Sequence, residues 1–193
     1  MASPQPFLAP VPGRPAKTDP PEVDAVTVAR LWENPCWFAF RFNYLSLRYN
    51  IPLYGWVERE YGLLRPQFSV IYSLGLRDNV TARDIGISYG YPKNTLSRAI
   101  QILERRGLIR RERDPADKRS FLLSLTAEGR AMFDETLPNF VRLQDAMLQS
   151  LAPGERETLS VLLAKIVLNT FSSPEGDSLI DAAPSRPRTP EAV

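Results

Sequence analysis

The chain has 193 residues, with 24 Lys and Arg against 22 Asp and Glu, and so a formal net charge of +2 at pH 7. That length suits one domain with appendages. No histidine is present, which excludes Ser-His-Asp and Cys-His catalysis. The single cysteine, Cys36, excludes an intramolecular disulfide and an ordinary structural zinc site. We therefore expect a protein that is not an enzyme and that holds no metal and no cofactor.

Hydropathy and proline content predict the outline of the molecule. No apolar run approaches the roughly 18 residues that span a bilayer, and the start of the chain lacks a signal-peptide layout, so we expect a cytoplasmic protein without a membrane partner. Of 18 prolines, seven lie in residues 1–24 and four in residues 174–193. Such segments bury too little apolar surface to offset chain entropy. Both ends are predicted to be flexible tails, and residues 25–173 to be the folded domain.

The first helix is predicted over residues 28–61, and it is unusually aromatic. It holds ten of the 19 aromatic residues of the chain, distributed around most of its circumference. A helix that is apolar on most sides must be covered on most sides, and a second subunit is the economical cover. Pro35 and Pro52 are expected to start, kink or break this helix.

The remaining elements follow from caps, turns and periodicity. Thr81 and Asp84 resemble a capping box, residues 89–92 have turn chemistry, and Gly107 closes the helix that follows the turn. The apolar periodicity and turn signals predict helices over 66–76, 82–88, 93–106, 126–151 and 153–171, and a hairpin of strands 108–113 and 119–125. With about six helices and one hairpin, the predicted fold is mainly α, of the α+β winged helix-turn-helix class.

Positive charge is concentrated in residues 93–119, which contain nine basic and four acidic residues. Their net charge of +5 stands against +2 for the whole chain. A cationic helix followed by a hairpin is typical of a surface that binds a phosphate backbone, although arginine-rich hairpins are also often merely solvated. The second helix of a helix-turn-helix motif reaches base edges with its first residues. The predicted DNA-binding residues are Lys93, Asn94, Thr95, Ser97, Arg98, Arg113, Asp117, Lys118 and Arg119.

The hairpin carries a specific motif. Asp117-x-Arg119, followed by five residues and then Leu125-Thr126-x-x-Gly129, resembles the wing signature of the MarR family of winged-helix transcriptional regulators. Residues 97–109 are similar to the recognition helix of that family and its exit into the wing. The resemblance covers about residues 31–171.

The resemblance implies a particular organisation and function. It implies a winged helix-turn-helix over about 64–126 and a homodimer formed by helices over about 28–61 and 127–172. It implies that Arg119 enters the minor groove while Asp117 holds a neighbouring arginine in place; a plain turn role for Asp117 is the alternative. A two-fold dimer predicts a pseudo-palindromic operator with half-sites about 10 bp apart. The expected function is that of a ligand-responsive repressor, with a non-regulatory architectural protein as an alternative.

Two groups of residues are candidate sites for sensing the signal that switches such a regulator. Arg41, Tyr44 and Arg48 share one helical face and Arg65 begins the next helix, so they are a candidate grip for a small aromatic or anionic effector. Pairing of these arginines with Glu33, Glu58 or Glu60, or with the partner chain, is equally open. Cys36 resembles the sensing cysteine of the hydroperoxide-responsive branch of the family, although Arg65 stands where one of the required tyrosines is expected. We favour a packing role for Cys36.

Overall fold

The computed structural model of the chain describes residues 24–172. The two predicted tails therefore lie outside the described residues, apart from Asp24 at the end of the first one. The elements are α1 (Ala25–Trp32), α2 (Trp37–Tyr61), α3 (Arg65–Leu76), β1 (Val80–Thr81), α4 (Ala82–Tyr89), α5 (Lys93–Arg105), β2 (Ile109–Arg113), β3 (Phe121–Leu125), α6 (Ala127–Met147) and α7 (Pro153–Ser172). The mainly helical fold with a β-hairpin wing is confirmed.

The first predicted helix is in fact two helices, so the described residues contain seven helices rather than about six. The break falls at Pro35, whose ring supplies no amide hydrogen for a continuing helix. Around it, Glu33 donates its amide to the carbonyl of Ala29, and the amide of Cys36 is satisfied by the side chain of Asn34 at 2.8 Å. The chain does not break at Pro52, which lies inside α2 beside the buried residues Leu53 and Val57.

The capping box at Thr81 and the glycine at 107 form as predicted, and a glycine also ends α2. Gly62 ends α2 with φ of +61°, a conformation that favours glycine. Thr81 and Asp84 form a reciprocal capping box at the start of α4. The Asp84 carboxylate accepts hydrogen bonds from the amide and the hydroxyl of Thr81, and these hold its pKa below the usual value. Gly107, with φ of +70°, follows α5. These local signals therefore fix where the helices of the helix-turn-helix begin and end.

The sheet has three antiparallel strands in the order β1-β3-β2. Strands β2 and β3 form the predicted hairpin, with Ile109 opposite Leu125 and Arg113 opposite Phe121. The third strand, β1, was not predicted, because two residues are too few to show any periodicity. It pairs with β3 at Leu122 and Leu123 and so joins the wing to the start of α4.

The chain divides into two compact units, residues 1–144 and 145–193. The core of the first unit is built around α3, in which Phe68, Ile71 and Leu74 are wholly buried, and it includes Leu103 of α5 and Leu123 of β3. The described part of the second unit consists of the end of α6 and all of α7.

Large apolar side chains are exposed on two helices of the single chain. On α2 they are Phe38, Phe42, Leu45, Leu47 and Ile51, and on α7 they include Leu159, Val161, Leu162, Ile166 and Val167. Over residues 24–172, no helix combines the length and the apolar character needed to cross a membrane. Exposed apolar side chains grouped on a helix are expected where that helix meets a second subunit.

Candidate nucleic-acid interface

The second helix of the helix-turn-helix, α5, has one buried face and one polar face. Leu96, Ala99, Ile100 and Leu103 are buried, at the spacing of a single helical stripe. The predicted contact residues lie on the other side: Lys93, Asn94, Ser97 and Arg98 are exposed, and Thr95 is half-buried. Because the buried stripe anchors α5 in the core, its first two turns present donors and acceptors outward from a fixed helix.

Two exposed arginines of the wing pack on one aromatic ring. The guanidinium of Arg111 lies 4.1 Å from the centroid of the Phe121 ring, and that of Arg113 lies 5.7 Å from it. Arg111 also pairs with Glu104 of α5 at 3.6 Å, which joins the hairpin to the helix. These contacts hold the cationic strand β2 in place relative to α5.

The turn at the tip of the wing is organised by Asp117. Its carboxylate accepts the backbone amide of Arg119 at 3.0 Å and the hydroxyl of Ser120 at 2.7 Å. These two hydrogen bonds, of which that from the Ser120 hydroxyl has the larger effect, hold the pKa of the Asp117 carboxyl below its usual value. Asp117 thus holds Arg119 through the main chain. The resemblance implied that Asp117 grips an arginine side chain, but within the described chain its hydrogen bonds are those of a turn residue.

A cleft of about 1040 Å³ separates α4 and α5 from the wing. Three of the predicted contact residues line it together: Lys93 and Ser97 from α5, and Arg119 from the wing. Ile87, Leu96 and Phe121 contribute apolar surface to its lining. The cleft therefore lies between the two elements that are expected to enter neighbouring grooves of a duplex.

Two further polar residues belong to this surface although they were not predicted as contacts. Arg83 on α4 and Gln101 on α5 are exposed and line the same cleft. The sequence places Arg83 in the first helix of the helix-turn-helix, and this position could have identified it as a contact residue. By contrast, Arg106 donates to the carbonyls of Tyr61 and Gly62 at the end of α2, so its charge caps a helix and is not free for a ligand.

The predicted effector residues lie in separate aromatic contacts. Arg41 packs against Trp32 and Trp37 and donates its Nε to the carbonyl of Leu31 at 2.7 Å. Arg48 donates to the hydroxyl of Tyr44 at 3.1 Å and lies over its ring.

Arg65, the fourth member of this set, lies over the ring of Tyr54, 5.0 Å from its centroid. Because Arg41 and Arg48 are about two helical turns apart, or roughly 10 Å, a single chain does not converge these arginines on one point. The ion pairs formed within residues 24–172 do not join Arg48 or Arg65 to Glu58 or Glu60.

Cys36 lies at the N-cap of α2, just after the break at Pro35, and is exposed in the single chain. The packing role favoured from the sequence is therefore not provided within one chain, and it stays a prediction. Tyr49, the nearest tyrosine considered as a partner, lies 13 residues further along α2, or about 20 Å, and its hydroxyl donates to the carbonyl of Phe140. Within one chain, Tyr49 is therefore too far from Cys36 to bind its thiolate.

Comparison with known proteins gives the following matches. A family model described as "MarR family" matches residues 61–120, which run from the end of α2 to the start of the hairpin's second half. The transcriptional regulator HosA of Escherichia coli O111:H- is 30% identical over 112 residues, covering 58% of this chain and 83% of HosA. The matched region therefore contains the whole of the helix-turn-helix.

Solved structures agree with this sequence match. A MarR-family transcriptional regulator from Silicibacter pomeroyi superposes with a TM-score of 0.64 at 32% identity, covering 69% of this chain and 90% of the other. The MepR–DNA complex of S. aureus has a TM-score of 0.58 at 22% identity, covering 68% of this chain and 97% of MepR. The second match supports the fold, and the first supports common ancestry as well.

Proposed function

The chain belongs to the MarR family of transcriptional regulators, and from this premise we propose that it is a ligand-responsive repressor that binds a pseudo-palindromic operator as a homodimer. Its relatives are transcriptional regulators rather than enzymes, and it is a DNA-binding protein of the winged-helix type. The observation that carries the proposal is that exposed polar residues of α5 and the wing, Lys93, Ser97 and Arg119, line the same cleft between these two elements.

The shape and charge of this surface fit duplex DNA. An α-helix is the right width for the major groove, and an arginine is attracted by the negative potential of a narrow minor groove. The exposed cations of α5 and the wing supply both contacts from one chain. MepR, which shares the fold, was solved as a complex with DNA. Two copies related by a two-fold axis would place two such surfaces about 10 bp apart.

The function is tested by selecting duplexes from a random pool with the full-length protein. We expect a palindromic sequence to be enriched, and binding to that duplex to fall steeply as salt rises, because neutralised phosphates release counterions. An architectural winged-helix protein would bind with the same salt dependence and enrich no sequence. Enrichment of no palindrome would therefore contradict the regulator and favour the architectural alternative.

Arg119 is the sharpest single-residue test. Arg119→Ala is expected to weaken binding of the selected duplex about tenfold or more, equivalent to roughly 1.4 kcal/mol, measured by mobility shift at fixed salt. Because the side chain is exposed and Asp117 holds only the Arg119 amide, the melting temperature should not change. Lys165→Ala in α7 removes one positive charge elsewhere and serves as the matched control. Equal affinities for wild type and Arg119→Ala would remove Arg119 from the interface.

The ligand response is assigned to the arginines of α2 and α3. Three arginines of α2 and α3 lie over aromatic rings, which is the composition of a site for an aromatic anion. Since one chain does not bring them to a single point, the proposed effector site is completed by the second subunit. An exposed thiol at Cys36 offers an oxidant response as the alternative.

A thermal-shift screen separates these responses. Aromatic acids and their coenzyme A thioesters are added to wild type, to Arg48→Ala and, as control, to Arg59→Ala, which removes an exposed arginine of α2 outside the proposed set. A ligand at 100 times its Kd stabilises by about 2.7 kcal/mol, so the melting temperature of wild type and control should rise while that of Arg48→Ala should not. If no acid or thioester stabilises the wild type, the anion site is contradicted, and loss of DNA binding on peroxide treatment would favour Cys36.

A further inference from the structure

The turn between α4 and α5 consists of residues 90–92, and two tyrosines lie at its start: Tyr89 ends α4, and Tyr91 lies in the turn. The rings of Tyr89 and Tyr91 are stacked, with centroids 5.6 Å apart and planes inclined by 2°. Gly90 between them has φ of +66°, a left-handed conformation that glycine adopts without strain. The two phenols therefore leave the turn side by side, immediately before Lys93 begins α5.

The hydroxyl of Tyr91 meets a buried serine of α3. The Tyr91 oxygen lies 3.2 Å from the Oγ of Ser69, which is completely buried. A serine hydroxyl has one hydrogen to donate and two lone pairs, and Ser69 donates to the carbonyl of Arg65 at 2.8 Å. The remaining hydrogen bond must therefore run from Tyr91 to Ser69, which defines its direction.

Two further groups surround this hydrogen bond. The hydroxyl of Tyr54, on α2, lies 3.5 Å from the same Ser69 oxygen, where the second lone pair is available. One turn further along α3, the Ser73 hydroxyl lies beside that of Tyr89. Burial raises the pKa of Tyr89 to about 12, and the hydroxyl of Ser73 has a smaller effect in the opposite direction. Ser69 is therefore a point at which α2, α3 and the turn before α5 meet.

We propose that the hydrogen bond from Tyr91 to Ser69 positions α5 for reading DNA, so that sequence discrimination depends on it. This inference rests on the proposed contact of α5 with base edges. Pro92 follows Tyr91 and has a fixed φ, so a change at Tyr91 is passed directly to the first turn of α5. Hydrogen bonds to bases tolerate only a few tenths of an ångström, whereas attraction to phosphates is far less sensitive to position.

The test is Tyr91→Phe, which removes one oxygen and keeps the ring that stacks on Tyr89. Affinity for the selected operator should fall about tenfold, while affinity for an unrelated duplex of equal length should change less than twofold. Ser69→Ala should have the same effect, and the double variant should lose no more than either single variant. Tyr72→Phe is the control, because its ring lies in the aromatic cluster with Phe68, Phe133 and Phe140 and not at the turn.

Amide hydrogen exchange provides a second readout that needs no DNA. In Tyr91→Phe, the amides of Gly90, Tyr91 and residues 93–96 should exchange about tenfold faster than in wild type, while those of α3 beyond Ser73 stay unchanged. Equal losses on both duplexes, or unchanged selectivity with unchanged exchange, would overturn the inference. If the wild type enriches no duplex, the proposed function fails, and unaltered exchange at the turn would then overturn the Tyr91 link separately.

Discussion

At the scale of single residues, the final glycine of the Leu-Thr-x-x-Gly motif has a steric explanation. Gly129 is buried in the first turn of α6, and a Cβ there would collide with the main-chain carbonyl oxygen of Leu108. The same carbonyl accepts the amide of Thr126 at 3.1 Å, and the Thr126 hydroxyl accepts the amide of Gly129. The motif therefore marks the connection between the end of the wing, at β3, and the first turn of α6.

Gly129→Ala is accordingly expected to destabilise the fold by about 1–3 kcal/mol, the usual range for overpacking, because the obstructing atom is backbone and cannot rotate away. The measurement is the unfolding free energy from denaturant titration. Gly154→Ala in α7 is the matched control, since a Cβ at Gly154 meets no atom within 4 Å and alanine favours a helix. Equal stabilities of Gly129→Ala and wild type would show that this connection adjusts freely.

At the scale of elements, local signals predict the helix-turn-helix and the wing well. The apolar stripe of α5, the capping box at Thr81 and the glycine at 107 are each contained within a few neighbouring residues, so periodicity and turn chemistry reveal them. The same signals predicted which side chains of α5 face outward. Strand β1 escaped prediction because its existence depends on pairing with β3, more than 40 residues away.

Contacts between elements account for what the sequence did not reveal. The arginines of α2 share a face by their spacing, yet spacing does not show that each one lies over an aromatic ring. The exposure of Cys36 depends on how the chain turns at Pro35. The hydrogen bond between Tyr91 and Ser69 joins residues 22 positions apart, one in the turn before α5 and one on α3, whose relative placement no periodicity gives. Partners of this kind are properties of packing and not of pattern.

At the scale of the whole molecule, the exposed apolar surface remains to be accounted for. Phe38 and Phe42 stack on each other on the surface of α2, with ring centroids 6.1 Å apart, and among residues 153–170 of α7 no side chain is buried in the single chain. Burying one large apolar side chain contributes about 1.5–3 kcal/mol, so several such residues from two helices suffice for a stable interface of the usual size. A second copy of the chain, which the proposed two-fold operator would also require, is the cover we propose.

Phe42→Asp tests this association, because Phe42 is 56% exposed in the single chain and a carboxylate there would be buried unpaired in a dimer. In sedimentation velocity at about 10 µM, wild type should be dimeric and Phe42→Asp monomeric with its helical circular dichroism intact. Operator affinity should fall with the dimer, because a monomer contacts one half-site only. Leu76→Asp alters a residue of similar exposure on α3 and should stay dimeric. A monomeric wild type, or a Phe42→Asp variant that still dimerises, would contradict an interface through α2 and leave its aromatic surface without this cover.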